Sequence, residues 1–400
     1  MHLGTITVRP LTDDELEPAW QLGRLAFGLA PTPPPTALGP VTGRTRHGAF
    51  DSAGRLVGRA DDLHHDQWWA GRRVAAADVA GVAVLPEARG RGVARALLRG
   101  LLRHARDRGA AVSALYPTVT APYRSCGWEV AGTLRAVDLP AMALPAHRPA
   151  PDLTVRPGGP ADLPAVADLY DAVARHRCGL LTRRGPGFDD DPAPTRLPEG
   201  IDGLTLVEQD GRLVGYASWE RGQGYDRQAV LTVEDIFATT AEAARELIGV
   251  LASWRSVTPT IRLWPLAHDA IAAQLPLERV TVHDERIWMH RPVDVVRAVA
   301  DRGWPAGVRG RVDFALTDAD APWNAGFWRL EVDGGTARLH RIREEPSLTL
   351  DVRGFALLYA GVADAYAVAE AGLLRPAGGV DPGPLDLLGC GPRAELLDYF

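Results

Sequence analysis

The sequence predicts a duplicated α/β domain followed by an α+β domain, and three observations carry that prediction. "TVRP" stands at Thr7 and again at Thr154, trailed at matching distances by Leu16 and Leu163 and by Leu22 and Leu169. "GRLVG" stands at Gly54 and again at Gly211, in the same order, as a duplicated unit requires. From about Met289 the pattern changes: strand-like segments group together with helical segments before and after them, which indicates an α+β domain. A chain of 400 residues has room for three domains, and the expected boundaries are 1–150, 151–289 and 290–400.

Each copy opens with a strand and a helix ("DDELEPAWQLGRLAF" in the first, "PADLPAVADLYDAVARH" in the second) and continues into the GRLVG strand. The first copy then runs through the strand "AADVAGVAVLP" into "PEARGRGVARALL" and a helix. Val93, Leu97, Leu98, Leu101, Leu102 and Ala105 recur at helical spacing and make its apolar face. Arg91, Arg95, Arg99 and Arg103 repeat every four residues on another face, where Arg99 and Arg103 are expected to be solvated. A strand ("AVSALYP") and a helix ("APYRSCG") complete the copy.

Proline-rich Leu139–Asp152 reads as a linker and Arg183–Gly200 as an acidic loop. The second copy keeps the strand-to-helix layout in "LTVEDIFATTAEAARELIGVL" (Leu231–Leu251), but it has Glu242 and no glycine where the first has its glycine pair. The last domain reads as the helix "HRPVDVVRAVADRGWP", the strands "GRVDFALTD", "GFWRLEVDGG", "TARLHRIRE" and "SLTLDVRG", and helices to the end. Its most apolar stretch, from Gly354, contains Asp364 and Glu370, which disfavour a membrane span, and it reads as one or two buried helices.

A formal charge of -6 does not match a polyanion, so no nucleic-acid partner is expected. Every basic residue is arginine or histidine. Three cysteines (Cys126, Cys178 and Cys390) without a CxxC pair exclude a disulfide framework and a zinc knuckle. Asp13, Asp14 and Glu15 precede any apolar run, so no secretory signal is read and a cytoplasmic location is expected, without a membrane partner. Neighbours on a strand face opposite sides and no third ligand accompanies His64 and His65, so no metal is expected.

The glycine-arginine segment carries the chemistry. A helix start exposes unpaired N–H groups and a partial positive charge, and Gly90 and Gly92 let the backbone approach an anion closely. There is no G-x-G-x-x-G fingerprint, and a Walker loop needs a lysine the chain lacks. The spacing Arg89-x-x-Gly92-x-Ala94, after a strand and before a helix, resembles the pyrophosphate cradle of GCN5-related N-acetyltransferases (GNATs). "VAVLPEARGRGVARA", "LYPTVTAPYRSCGWEVAG" and the aromatic last residue extend the resemblance to the Eis-like family. That family has an intact GNAT domain, a degenerate second GNAT domain and a sterol-carrier-protein-like domain.

The resemblance implies acetyl transfer from acetyl-CoA to primary amines of small cationic acceptors, such as aminoglycosides or polyamines, by a homohexamer. It places Val82, Ala83 and Val84 along the pantetheine arm. Arg89 opens the cradle, whose amides come from Gly90, Arg91, Gly92, Val93, Ala94 and Arg95. Thr118 and Val119 fall at the thioester end. Tyr123 matches the general acid and the carboxylate of Phe400 the general base. Two departures bear on the acceptor: Gly81 replaces an aromatic residue common in relatives, and Ala30–Pro40 differs from their pocket helix. Acidic residues in Asp61–Asp66 and in "FDDDP" would suit a polycation, or serve as solubilising loops. Two other readings stay open: a lipid or acyl carrier using the last domain, favoured by an apolar tunnel there, and a protein-lysine acetyltransferase.

Overall fold

The structure, a computed structural model, describes residues 5–145, 148–185, 187–188 and 194–400. The chain forms two units. One takes the described residues of Met1–Gly132, Arg177–Asp189 and Ile287–Phe400, the other those of Thr133–His176 and Asp190–Arg286. The first unit therefore holds both the N-terminal copy and the last domain.

The N-terminal part of that unit runs β1 (Thr7–Pro10), α1 (Leu16–Phe27), β2 (Arg44–Phe50), β3 (Leu56–Leu63), β4 (Asp66–Trp69), β5 (Arg72–Ala75), β6 (Asp78–Val84), α2 (Val93–Asp107), β7 (Val112–Leu115) and α3 (Ala121–Arg124). Strands β1, β2, β3 and β6 pair antiparallel in sequence, and β6 pairs with β7 in parallel. All six apolar positions read from the spacing of α2 are buried, and they pack with Val57, Val79, Tyr123 and Trp128 in one core.

The second unit holds most of β8 (Glu129–Pro140), which extends two residues into the segment read as a linker, then β9 (Thr154–Gly158) and α4 (Leu163–Ala174). β10 (Cys178–Leu181) belongs to the first unit, where it pairs with β4. The second unit continues with β11 (Gly203–Gln209), β12 (Arg212–Arg221), β13 (Val230–Ala238), α5 (Ala241–Ser253) and β14 (Thr260–Leu263). The two TVRP segments are equivalent first strands, β1 and β9, and the two GRLVG segments run into β3 and β12. Helix α5 starts on Thr240, whose hydroxyl accepts from the Ala243 N–H at 3.1 Å, with Glu242 in the first turn. A side-chain cap and a carboxylate thus occupy the place of the glycine pair.

The end of β15 (Thr281–Pro292) pairs with β7, Met289 opposite Leu115 and Pro292 opposite Val112. The helix expected from His290 therefore begins only at α6 (Val295–Asp301). Asp294 sets that start, since its carboxylate accepts from the N–H groups of Val296 and Arg297. Then come β16 (Gly310–Thr317), β17 (Gly326–Asp333), β18 (Thr336–Arg341) and β19 (Leu348–Asp351), matching the four expected strands. The apolar stretch forms two helices, α7 (Val352–Tyr359) and α8 (Ala365–Glu370). None of the helices among the described residues is long and apolar enough to cross a membrane.

A buried ion pair ties the last domain to the N-terminal copy. Arg291 donates to both oxygens of Asp318, at 2.8 and 2.7 Å, and to the backbone oxygen of Cys126; its side chain and that of Asp318 are sealed from solvent. Asp318 also accepts from the Ala321 N–H at 3.0 Å and from Asn324 Nδ2 at 3.0 Å. Removing one partner of such a pair strands a buried charge, so Asp318→Ala is expected to destabilise the protein by about 3–5 kcal/mol. Urea unfolding checks this; an unchanged midpoint would show the pair to be dispensable.

Candidate active site

The site begins where two strands part. β6 pairs with β7 at Val79 opposite Leu115, and beyond that point Ala80, Ala83 and Val84 pair with β3. Along the edge facing β7, residues 80–84 have no strand partner among the described residues. The register slips between Arg59 and Asp61, opposite Gly81, which sits at φ +57. A side chain there would be strained, and its Cβ would come within 2.9 Å of the Arg59 guanidinium. Both the backbone angle and the close approach of Arg59 favour glycine at this position. Val82 and Ala83 thus line an open edge whose backbone groups can pair with an extended amide-bearing chain.

Gly90 and Gly92 follow, both left-handed at φ +71 and +78, and a Cβ at either would meet nothing within 4 Å. The conformation demands glycine, and the space outside is free. Gly92 is the N-cap of α2 and offers no side-chain cap. The first bond of the helix is Ala96 N–H to Gly92 O, so the N–H groups of Val93, Ala94 and Arg95 are left to an outside acceptor. Arg89 reaches back to Val84 O at 3.3 Å and Arg91 is exposed.

The Arg95 guanidinium is committed elsewhere, donating to both oxygens of Asp320 at 3.1 Å; only its backbone N–H faces the cradle. Arg99 lies 3.2 Å from the same carboxylate and its side chain stays 41% exposed, so it pairs with the last domain from a solvated face on which Arg103 is also exposed.

Thr118 and Val119 form the exposed turn between β7 and α3, with Val119 60% exposed. Tyr123 follows on α3, 9% exposed and packed among Val93, Leu97, Cys126 and Trp128. Its hydroxyl makes no hydrogen bond among the described residues. Burial pushes the phenol up to about 12, so it stays protonated at neutral pH. Burial also raises the Cys126 thiol, which keeps it from acting as a thiolate nucleophile.

Phe400 lies in the same unit. Its ring is 5.4 Å from that of Tyr116 and 5.5 Å from that of His65. The tail is pinned along its length: Glu395 N–H donates to Cys178 O at 2.8 Å, Arg183 Nε to Asp398 Oδ1 at 2.8 Å, and Tyr116 OH to Asp398 O at 3.0 Å. Tyr116 packs against the core of this unit and also holds Asp398 through its hydroxyl. The acidic "FDDDP" run falls largely outside the described residues.

The two adjacent histidines lie in the link between β3 and β4, not on a strand, and meet different partners. His64 Nε2 meets Thr45 Oγ1 at 2.9 Å, while His65 Nδ1 meets Asp78 at 2.9 Å. A third donor beside His64 does exist, contrary to the sequence reading: Asp62, His64 and His104 bring ligand atoms within 4.8 Å of one another. The spacing conceals it because His104 comes from α2. Both oxygens of Asp62, however, are taken by Arg108 at 2.9 and 2.7 Å, and that cation opposes a metal ion.

The chain is similar in sequence and in fold to known acetyltransferases. Acetyltransferase (GNAT) domain families match residues 7–131 and 179–298, and the sterol carrier protein domain family matches residues 295–386. An uncharacterized N-acetyltransferase of Streptomyces avermitilis is 29% identical over 329 residues, 76% of each chain. The crystal structure of a GCN5-related N-acetyltransferase from Kribbella flavida superposes with a TM-score of 0.81 at 27% identity, covering 100% of this chain and 99% of that one. Eis1 from Mycobacterium abscessus superposes with a TM-score of 0.74 at 23% identity, covering 99% and 100%.

Proposed function

We propose that this chain, which belongs to the GCN5-related N-acetyltransferases and has their Eis-like three-domain architecture, moves acetyl from acetyl-CoA to the primary amine of a small cationic acceptor. The observation that carries the reading is the open β6 edge leading into two left-handed glycines at an uncapped helix start. Acetyl-CoA supplies the activated acetyl thioester. Val82, Ala83 and Val84 hold its arm by backbone hydrogen bonds. The amides from Gly90 to Arg95 take the pyrophosphate, aided by the positive end of α2. Thr118 and Val119 border the thioester, and Tyr123 returns a proton to the leaving thiolate. The carboxylate of Phe400 receives the ammonium and draws its proton. Aminoglycosides and polyamines are the acceptor classes, and a homohexamer in the cytoplasm completes the proposal on the strength of the family resemblance.

The last domain is packed, which weighs against a lipid carrier: Phe314, Leu330, Leu350, Phe355, Leu358 and Leu388 are all fully buried in one core. A protein-lysine acceptor shares every cofactor contact and differs only in the amine; thiol release measured across aminoglycosides, polyamines and lysine peptides separates the acceptors.

Calorimetry tests the cofactor site. One acetyl-CoA per chain is expected, because Thr240 and Glu242 fill and charge the corresponding helix start of the second copy. Gly92→Leu is expected to abolish that site, since a β-carbon at φ +78 is strained and its side chain enters the cradle. Two sites per chain, or unaltered binding by the variant, would sink the assignment.

A further inference from the structure

Asp78 is fully buried at the point where β6 and β7 part. Its carboxylate replaces a ladder partner, accepting the Ala114 N–H at 3.0 Å, and it also accepts from Gln67 Nε2 at 3.3 Å. Gln67 is in turn fixed by Trp69 Nε1 at 3.1 Å. The other carboxylate oxygen, Oδ2, meets His65 Nδ1 at 2.9 Å. A carboxylate can only accept, so Nδ1 carries the hydrogen and the Nε2 lone pair is left for other use. Nε2 has no partner among the described residues and is not among the polar atoms sealed from solvent. The His65 ring lies near two aromatic residues, 5.2 Å from Phe188 and 5.5 Å from Phe400. A histidine oriented by a fully buried carboxylate, with its second nitrogen free beside the last residue of the chain, is the arrangement of a general base and its orienting partner.

We propose that His65 is a catalytic base for the amine and that Asp78 is its positioning residue; this rests on the acetyl-transfer reading above. The acceptor ammonium is held at the chain end by the Phe400 carboxylate, which is a weak base. The nitrogen lone pair forms the C–N bond to the acetyl carbon and the C–S bond breaks. The nitrogen gives up two protons in all. One passes through the Phe400 carboxylate to His65 Nε2 and on to solvent. The other balances the proton that Tyr123 delivers to the thiolate and regains. No oxidant, metal or covalent enzyme intermediate is required.

His65→Ala tests this, with His65→Gln as a variant that keeps more of the packing. Both are expected to lower kcat by about 10²-fold or more with KM for acetyl-CoA unchanged. Added imidazole is expected to restore part of the His65→Ala loss. Asp78→Asn, which keeps an acceptor for the Ala114 N–H, is expected to lower kcat without changing KM for acetyl-CoA. His64→Ala, whose ring meets Thr45 instead of Asp78, is expected to keep wild-type kcat and to ignore imidazole. Wild-type kcat in both His65 variants would overturn the proposal, as would a loss that imidazole leaves untouched and that raises KM for acetyl-CoA in step. A wild-type enzyme that binds acetyl-CoA yet acetylates no amine would overturn the acetyl-transfer reading itself, and the proposal with it.

Discussion

Tyr123→Phe is expected to lower kcat by about 10²–10⁴-fold, the usual span for loss of a general acid, with acetyl-CoA affinity within about two-fold of wild type. The phenol is used only when the C–S bond breaks and negative charge gathers on sulfur, so its removal acts on the transition state and spares ground-state binding. The structure sharpens this expectation. The ring is embedded in the core shared with Val93 and Trp128, and phenylalanine keeps that packing. The hydroxyl has no hydrogen bond to lose among the described residues, so the substitution strands no partner there. With the phenol pushed up to about 12, the acid form persists well above neutrality, and a loss of activity from ionisation of Tyr123 would appear only at strongly alkaline pH. Steady-state kinetics with thiol detection measures the effect. An unchanged kcat would assign the proton to solvent or to another group.

Legibility from sequence follows the range of the interactions. The cradle is local: two glycines and a helix start lie within a few residues, and backbone geometry alone decides what they do. The apolar face of α2 is equally local, since periodicity encodes it. What escapes the sequence is made between distant segments. Asp320 holds Arg95 from 225 positions away, so the ion pair between this arginine and the last domain leaves no mark on the local sequence. Tyr116 meets Asp398 across 282 positions, and no local pattern announces that contact. The His65–Asp78 pair spans only 13 positions, yet no periodicity announces it, because β4 and β5 form a hairpin between the two residues. The start of α6 is misplaced by a local cause: Asp294 is the cap, but the residues before it satisfy helical spacing while pairing with β7.

Deleting Phe400, or extending the chain by a few residues beyond it, is expected to abolish acetyl transfer while acetyl-CoA still binds at Gly92. An α-carboxylate titrates ordinarily at about 3.3–3.7, so its contribution lies in holding and orienting the ammonium as well as in drawing its proton. Position is therefore decisive, and the fold spends several contacts on it. The ring of Phe400 rests against Tyr116 and His65, the ring of Tyr399 is 4.8 Å from that of Tyr116, and Arg183 and Tyr116 grip Asp398. An added residue moves the carboxylate by about 3.3–3.6 Å along an extended chain, beyond the reach of one hydrogen bond. Deletion removes the aromatic anchor and shifts the charge back to Tyr399. Neither change touches β6, the glycine pair or α2, so calorimetric binding of acetyl-CoA should persist as kcat disappears. Loss of both together would indicate disruption of the first unit, which the urea midpoint detects. A C-terminally extended enzyme with full kcat would remove the terminal carboxylate from the mechanism and leave His65 as the base.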